Sequence, residues 1–392
     1  VIGHLLPSEV GRQDHNFHAA GRGIHSSEKG KFAASDPAQS AILGAVKDRF
    51  SRNHQYNGHR RMTMNRTVCW LGAVLTLATT SVARTIQDKK PVVTDPARAD
   101  ADFAVQGEYA GELDTNDGRV KYGVQVIARG EGKFDATAYH GGLPGDGADR
   151  TRRILATGQT NGTITTLSAN EGTAKIQNGV MTIFSSNGNP IGELKKIERK
   201  SPTLGAKPPA GAVVLFDGSN AENFQNGRLT DDKQLAAGVT SKRMFQNCTL
   251  HLEFMTPYMP ADRDQARGNS GCYLQGRYEV QILDSFGLEG KNNECGGIYS
   301  IRDPDVNMCL PPLSWQTYDI DYTAAEYDST GKKLKNSRIT VRHNGVVIHE
   351  NAELPKATTA APVPEGPDPG PIYLQDHGNP VRFRNIWVVE KK

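Results

Sequence analysis

From Ala101 onward the chain consists of short apolar or alternating runs, each closed by Gly, Asn or Asp, and long stretches at the helical period are scarce. Such punctuation restricts the fold to β architectures, because a strand needs only a few alternating residues whereas a helix needs a sustained stripe. Before residue 200 the runs are 103–113, 121–128, 134–139, 163–167, 173–176, 180–184 and 192–197, which predict a small all-β domain over 101–199. Ser201-Pro-Thr-Leu-Gly-Ala-Lys-Pro-Pro-Ala-Gly211 marks a linker over 200–211. Beyond it lie runs at 213–216, 248–255, 271–275, 278–283, 317–322, 338–343, 346–350, 372–375 and 381–389. Asn344-Gly345 between two of them is a hairpin signal of the type I′ kind. So many strands without a long helix argue for two packed antiparallel sheets over 212–392. The 41 Gly and 21 Pro fit that turn-rich reading.

A formal charge of +3, from 46 basic and 43 acidic residues, gives no reason to expect a nucleic-acid partner, since no stretch combines dense Lys/Arg with aromatics. Residues 62–83 read as a signal peptide: Arg66 in a basic start, an apolar run from Val68 to Ala78, and Ser81-Val-Ala83 as a small-residue cleavage site. The run is too short for a membrane span, so the expectation is a secreted or periplasmic protein with no stable membrane insertion after the signal is removed. Residues 1–61 then precede a signal. They are polar, unpatterned and hold six of the eleven histidines, and read as a mis-started or disordered extension rather than a spaced metal site. Cys248, Cys272, Cys295 and Cys309 remain after cleavage. In an exported chain they permit disulfides, and a Cys295–Cys309 bridge would close a loop worth about 3 kcal/mol, with free buried thiols as the alternative.

The segment Asn269-Ser-Gly-Cys-Tyr-Leu-Gln-Gly-Arg-Tyr-Glu-Val-Gln-Ile-Leu-Asp-Ser285 places ionisable groups in a hairpin, with Gly276-Arg277 read as the turn. Tyr278, Val280 and Ile282 fall on one face, and Glu279 and Gln281 stand side by side on the other. Asp284 has the opposite parity and joins them only if the strand ends or bulges near Leu283. Further on, Gln375 and His377 share a face if that strand runs through, with Arg382 and Arg384 following. A carboxylate, a carboxamide, an imidazole and a guanidinium on facing strands suit a polyol ligand, with Trp315 and Tyr299 as flat surfaces for a sugar. Each has a plainer alternative. The hairpin could be half-solvated, His377 could cap a turn, Arg382 or Arg384 could pair with an acid, and Trp315 could be core. No nucleophile elbow, zinc helix or dinucleotide fingerprint is present, and no metal or cofactor is expected.

Leu215-Phe-Asp-Gly218, Asn269-Ser-Gly271, Tyr278-Glu-Val-Gln-Ile-Leu-Asp284, Gly297-Ile-Tyr299, Trp315, Leu374-Gln-Asp-His-Gly378 and Phe383-Arg-Asn-Ile386 occur in this order. The set resembles the 3-keto-disaccharide hydrolase domain family over roughly residues 211–390. The linker and preceding domain resemble secreted planctomycete-type members. The resemblance implies a concanavalin-like jelly roll and cleavage of glycosides already oxidised at C3 of the sugar. A C3 ketone acidifies the C2 proton, so a base can remove it while an acid helps the C1 aglycone leave, and water then adds across the double bond. On that implied chemistry Glu279 or His377 is base or acid, Asp284 is a second acid/base candidate, and Arg384 or Gln281 binds an oxyanion or hydroxyl, with Gln375, Tyr299, Trp315 and Asn269 as substrate contacts. The competing reading is a non-catalytic carbohydrate-binding jelly roll. A conventional glycosidase would instead place the Glu279 and Asp284 carboxyls ~5–5.5 or ~6.5–9.5 Å apart. The enzyme reading expects Glu279, Gln281, His377 and Arg384 to converge in one pocket.

Overall fold

The computed structural model describes residues 90–391. The extension 1–61 and the segment read as a signal peptide lie outside the described residues. A short helix, α1 (Ala101–Val105), precedes eight strands: β1 (Gly107–Thr115), β2 (Gly118–Gly130), β3 (Lys133–His140), β4 (Arg153–Asn161), β5 (Ile164–Ala169), β6 (Gly172–Gln177), β7 (Val180–Ser185) and β8 (Pro190–Ile197). Each pairs antiparallel with the next, and β1 pairs with β8, closing a barrel. Closure leaves no unpaired edge, which a small sheet with a largely apolar interior otherwise exposes. The sequence runs mark all of these strands but β4, whose alternation of half-buried and exposed residues carries a weak apolar signal. Phe103, read as the start of a strand, sits instead in α1, capped by the Asp100 side chain on the Phe103 amide.

Fourteen strands follow: β9 (Val213–Phe216), β10 (Phe224–Gln225), β11 (Leu235–Ala236), β12 (Val239–Phe245), β13 (Cys248–Met255), β14 (Ser270–Leu274), β15 (Tyr278–Ile282), β16 (Gln316–Thr323), β17 (Glu326–Tyr327), β18 (Lys333–Lys335), β19 (Ser337–His343), β20 (Val346–Leu354), β21 (Gly370–Leu374) and β22 (Arg382–Glu390). They form the jelly-roll sandwich. One sheet runs β10-β12-β21-β14-β15, the other β11-β22-β13-β16-β19-β20 with β9 added on β22, and β17 with β18 makes a separate hairpin. The inner faces meet in one core containing Leu250, Leu252, Phe254, Tyr278, Val280, Ile282, Ile320 and Phe383. β12 escapes the sequence pattern because its register against β21 shifts between Thr240 and Met244, and a bulge breaks the period of two.

The two β bodies lie in one compact unit and exchange side chains. Ile127 of β2 packs in the sandwich core, while Tyr258 and Leu313 pack in the barrel core. Cys248, Cys272, Cys295 and Cys309 are all free and buried. The bridge expected between Cys295 and Cys309 is therefore replaced by two adjacent thiols in a sealed interior, where Cys295 also meets the Tyr318 hydroxyl at 3.3 Å. Among the described residues no helix is long and apolar enough to cross a membrane.

Candidate functional site

The hairpin of β14 and β15 turns one residue earlier than the sequence suggests. Gln275 (φ 53°) and Gly276 (φ 63°) take the left-handed conformation, and the Arg277 amide closes the turn onto Leu274 O at 3.0 Å. The register that results sets Tyr273 opposite Glu279, Gly271 opposite Gln281 and Cys272 opposite Val280. Tyr278, Val280 and Ile282 enter the core as expected, and Glu279 and Gln281 take the other face. Tyr273 joins them there, a residue that the Gly276-Arg277 turn would have paired with Val280 on the core side. β21 adds Tyr373 beside Tyr273, the two rings 5.3 Å apart and tilted by 46°. Gln375, just past β21, donates to the Tyr273 hydroxyl at 3.2 Å.

Gly271 makes this face possible, because a Cβ there would collide with the Glu279 carboxylate. The carboxyl lies over the bare backbone, only 3% exposed. Burial pushes its pKa up, the Tyr273 hydroxyl pulls it down, and the balance stands at about 7. Tyr273 is itself raised far above the ordinary tyrosine range by burial and then by the Glu279 charge, so it stays a neutral donor. The outer edge of β15 is covered by the loop carrying Gly297-Ile-Tyr299. Gln281 N donates to Gly297 O at 2.9 Å and Tyr299 N to Glu279 O at 3.2 Å, which brings half-buried Tyr299 alongside the carboxylate.

Gln281 donates through Nε2 to Gln265 Oε1 at 3.0 Å and to Asn269 Oδ1 at 3.4 Å. Its Oε1 is buried without a partner, an acceptor free for a ligand hydroxyl. Asn269 is held by Gln265 O on its amide nitrogen at 2.8 Å, and its own backbone N–H donates to Asn379 Oδ1 at 2.7 Å. Glu279, Gln281, Asn269, Gln375 and Tyr299 thus converge, and Tyr273, Tyr373 and Gln265 complete the group. Tyr273 escaped the sequence reading through the one-residue turn offset, Tyr373 because it reaches the group only by the pairing of β21 with β14, and Gln265 because it lies in an irregular segment.

Other expected members lie elsewhere. Strand β21 ends at Leu374, so His377 sits exposed in the following loop and shares no strand face with Gln375. β15 ends at Ile282, so strand parity does not fix Asp284, whose carboxylate is buried against Arg267, Oδ2 to Nε 2.7 Å. Arg384 and Trp315 are on the opposite sheet: the guanidinium stacks 4.0 Å over the indole and bonds Glu253 at 2.6 Å. Arg384 therefore takes the ion-pair alternative. Arg382 likewise pairs with Asp232 and donates to Thr94 Oγ1 at 2.8 Å. Of the four residues expected in one pocket, Glu279 and Gln281 share a face of β15, His377 lies on the exposed loop after β21, and Arg384 lies on the opposite sheet.

Around Glu253 is a second polar cluster. Its carboxylate receives Gly205 N at 2.6 Å and Asn385 Nδ2 at 2.9 Å, and His251 meets Asp319 at 2.6 Å. Thr203 of the linker donates to Asp319 at 2.7 Å, and Asn385 donates to Ala206 O at 2.9 Å. This cluster fastens the linker to the outer face of the seven-stranded sheet.

Residues 211–389 match the family model of the 3-keto-alpha-glucoside-1,2-lyase-like domain. A crystal structure from Parabacteroides distasonis ATCC 8503, of a protein provisionally assigned as a glycosyl hydrolase, is similar at 32% identity, covering 47% of this chain and 85% of that one, with a TM-score of 0.43. A second provisionally assigned glycosyl hydrolase from the same organism is similar at 17% identity, covering 46% and 95%, with a TM-score of 0.35. No curated protein matches the chain.

Proposed function

Through residues 211–389 the chain belongs to the 3-keto-α-glucoside-1,2-lyase-like family, a glycoside-acting enzyme in broad terms, and from that premise we propose that it cleaves 3-keto-glycosides with Glu279 as the base. The observation carrying this assignment is a sealed carboxyl with a pKa of about 7, set beside a neutral tyrosine hydroxyl and an unpartnered carboxamide oxygen. A carboxylate whose pKa is raised is a stronger base than an ordinary one, yet is still substantially ionised near neutrality.

In the proposed reaction Glu279 takes the proton from C2, and the electron pair of that C–H bond passes into the C3 carbonyl to give an enolate. Tyr273 donates a hydrogen bond to the charge developing there. The electrons then return to form C1=C2, the C1–O bond breaks, and the aglycone leaves as it gains a proton. Water adds across the double bond, its proton at C2 and its hydroxyl at C1, which restores the ketone and completes a net hydrolysis. Gln281 Oε1 and the Asn269 carboxamide bind sugar hydroxyls, and the half-buried Tyr373, backed by Tyr273, offers an aromatic surface to the ring face. His377, exposed on the neighbouring loop, is the proposed proton donor to the aglycone. The segment at 62–83 supports export as part of this reading.

Glu279→Gln preserves the shape over Gly271 and removes the base. Turnover of a 3-keto-glucoside should fall by about 10²–10⁴, with the circular dichroism spectrum unchanged. Wild-type rates in that variant would remove Glu279 from the mechanism. Binding of the oxidised sugar without turnover by the wild-type chain would favour a carbohydrate-binding role instead, and activity confined to unoxidised glycosides would point to an ordinary glycosidase.

A further inference from the structure

The barrel is packed unevenly. Towards α1 its interior is filled by Tyr109, Phe134 and Val126, and Phe103 and Tyr258 meet edge to face at 5.2 Å. Towards the opposite end, where the β1–β2, β5–β6 and β7–β8 hairpins turn, Ala136, Ala138, Ala156, Ala169 and Ala174 stand among the inward positions, beside larger residues such as Tyr122 and Phe184. A cavity of about 170 Å³ occupies this half. Ala138, Ile154, Ala156, Ile183 and Ile191 line it and are only half-buried, as expected of apolar residues facing a void that opens outward. Five alanines on four strands make the space a property of the sequence rather than of one side chain's rotamer.

The walls carry no charge until the mouth, where Thr115 and Thr173 stand near strand ends and Glu171 in the β5–β6 turn. We propose that the barrel is a binding site for a monocyclic aromatic molecule bearing one hydrogen-bond donor, of the phenol class. Three observations select that class. The volume is that of a single ring, since an apolar cavity of about 150 Å³ takes benzene. Apart from the Tyr122 hydroxyl the walls offer apolar contact, too few polar partners for a sugar or an ion. The mouth supplies acceptors, Glu171 above all, for a hydroxyl that the walls cannot satisfy. An eight-stranded barrel is wide enough for one small ligand when its interior side chains are short. This site is independent of Glu279 and would stand if the glycoside reading failed.

The test is titration of the full chain with p-cresol, followed by calorimetry and by the methyl spectrum of alanine-labelled protein. The expected result is saturable binding, with shifts concentrated in the methyls of Ala136, Ala138, Ala156, Ala169 and Ala174. Ala156→Phe fills the cavity and should weaken binding by about tenfold or more, while Glu279→Gln leaves it unchanged. No saturable binding by the wild-type chain would overturn the proposal. Shifts spread over surface alanines, or undiminished affinity in a folded Ala156→Phe chain, would do the same. The methyl map needs no variant, so the outcome does not depend on how Ala156→Phe folds.

Discussion

Glu279 owes its chemistry to what is missing opposite its strand neighbour: the bare backbone of Gly271 lets the carboxyl lie flat and out of water, and lost hydration raises its pKa. The sign of the resulting pH effects follows. Folding raises the carboxyl from an ordinary 4.5 to about 7, so the folded state favours the protonated form. Its contribution to stability is fully present below pH 4.5 and is lost as pH rises through about 7. Glu279→Gln should therefore gain on the wild type above neutrality, by about 3 kcal/mol at most, with little gain at pH 4, measured by urea unfolding at both pH values. For catalysis the dependence reverses, because the base acts ionised. The proposed role predicts that kcat/KM for a 3-keto-glucoside rises with pH to a plateau, with a midpoint at about 7. A profile that falls through that midpoint would assign Glu279 as the acid. Glu279 and Gln281 were legible in the sequence because period-2 alternation needs only the strand itself. Tyr273 was hidden because its face depends on where the turn begins, and one residue of slip reverses it.

At the scale of elements, neighbours in sequence proved a poor guide to neighbours in space. Gln375 and Arg384 are close in the chain, yet β21 and β22 belong to different sheets, and the loop between them crosses the sandwich. Arg384 and Trp315 therefore serve the outer face of the seven-stranded sheet, where the linker docks. Burial pushes the Glu253 carboxyl up in pKa, but hydrogen bonds from His251, Asn385, Gly205 and Arg384 outweigh it and hold the group down at about 2. His251 is shifted the other way: burial lowers it, and the Asp319 and Glu253 carboxylates more than compensate. Glu253 contributes stability above pH 4.5 that is lost as pH falls through about 2, and His251 contributes stability below pH 6.5 that is lost as pH rises through its raised folded value. Glu253→Gln leaves Arg384 without its carboxylate partner and weakens the Gly205 anchor. The variant should lose about 2–4 kcal/mol and become cleavable by protease within 201–211, with turnover per folded molecule unchanged. A linker as resistant as the wild type's would show that the cluster does not fasten it.

For the molecule as a whole, the link between barrel and sandwich runs next to the proposed active site. Arg267 holds Asp284 through Nε, donates from Nη1 to Ala128 O of the barrel at 3.1 Å, and accepts Asp284 N at its own carbonyl. Two residues later comes Asn269 of the sugar-binding group. Nearby, Thr137 donates to Gly287 O at 2.9 Å, and Gly287 (φ 74°) has no room for a side chain against Ile127. These contacts, with Ile127 in one core and Tyr258 in the other, imply that the two bodies unfold together. Arg267→Ala would leave Asp284 buried and unpaired and free the barrel carbonyl, costing about 3–5 kcal/mol. Calorimetry should show one transition in the wild type and two in the variant, because the sandwich core does not depend on Arg267 but its grip on the barrel does. Below the first transition, KM for the 3-keto-glucoside should rise as Asn269 loses its fixed position. The midpoint of the pH profile should stay at about 7, since Gly271 and Tyr273 still surround Glu279. A shifted midpoint would mean that the barrel contact reaches the carboxyl itself, and a single unchanged transition would mean that Arg267 does not join the two bodies.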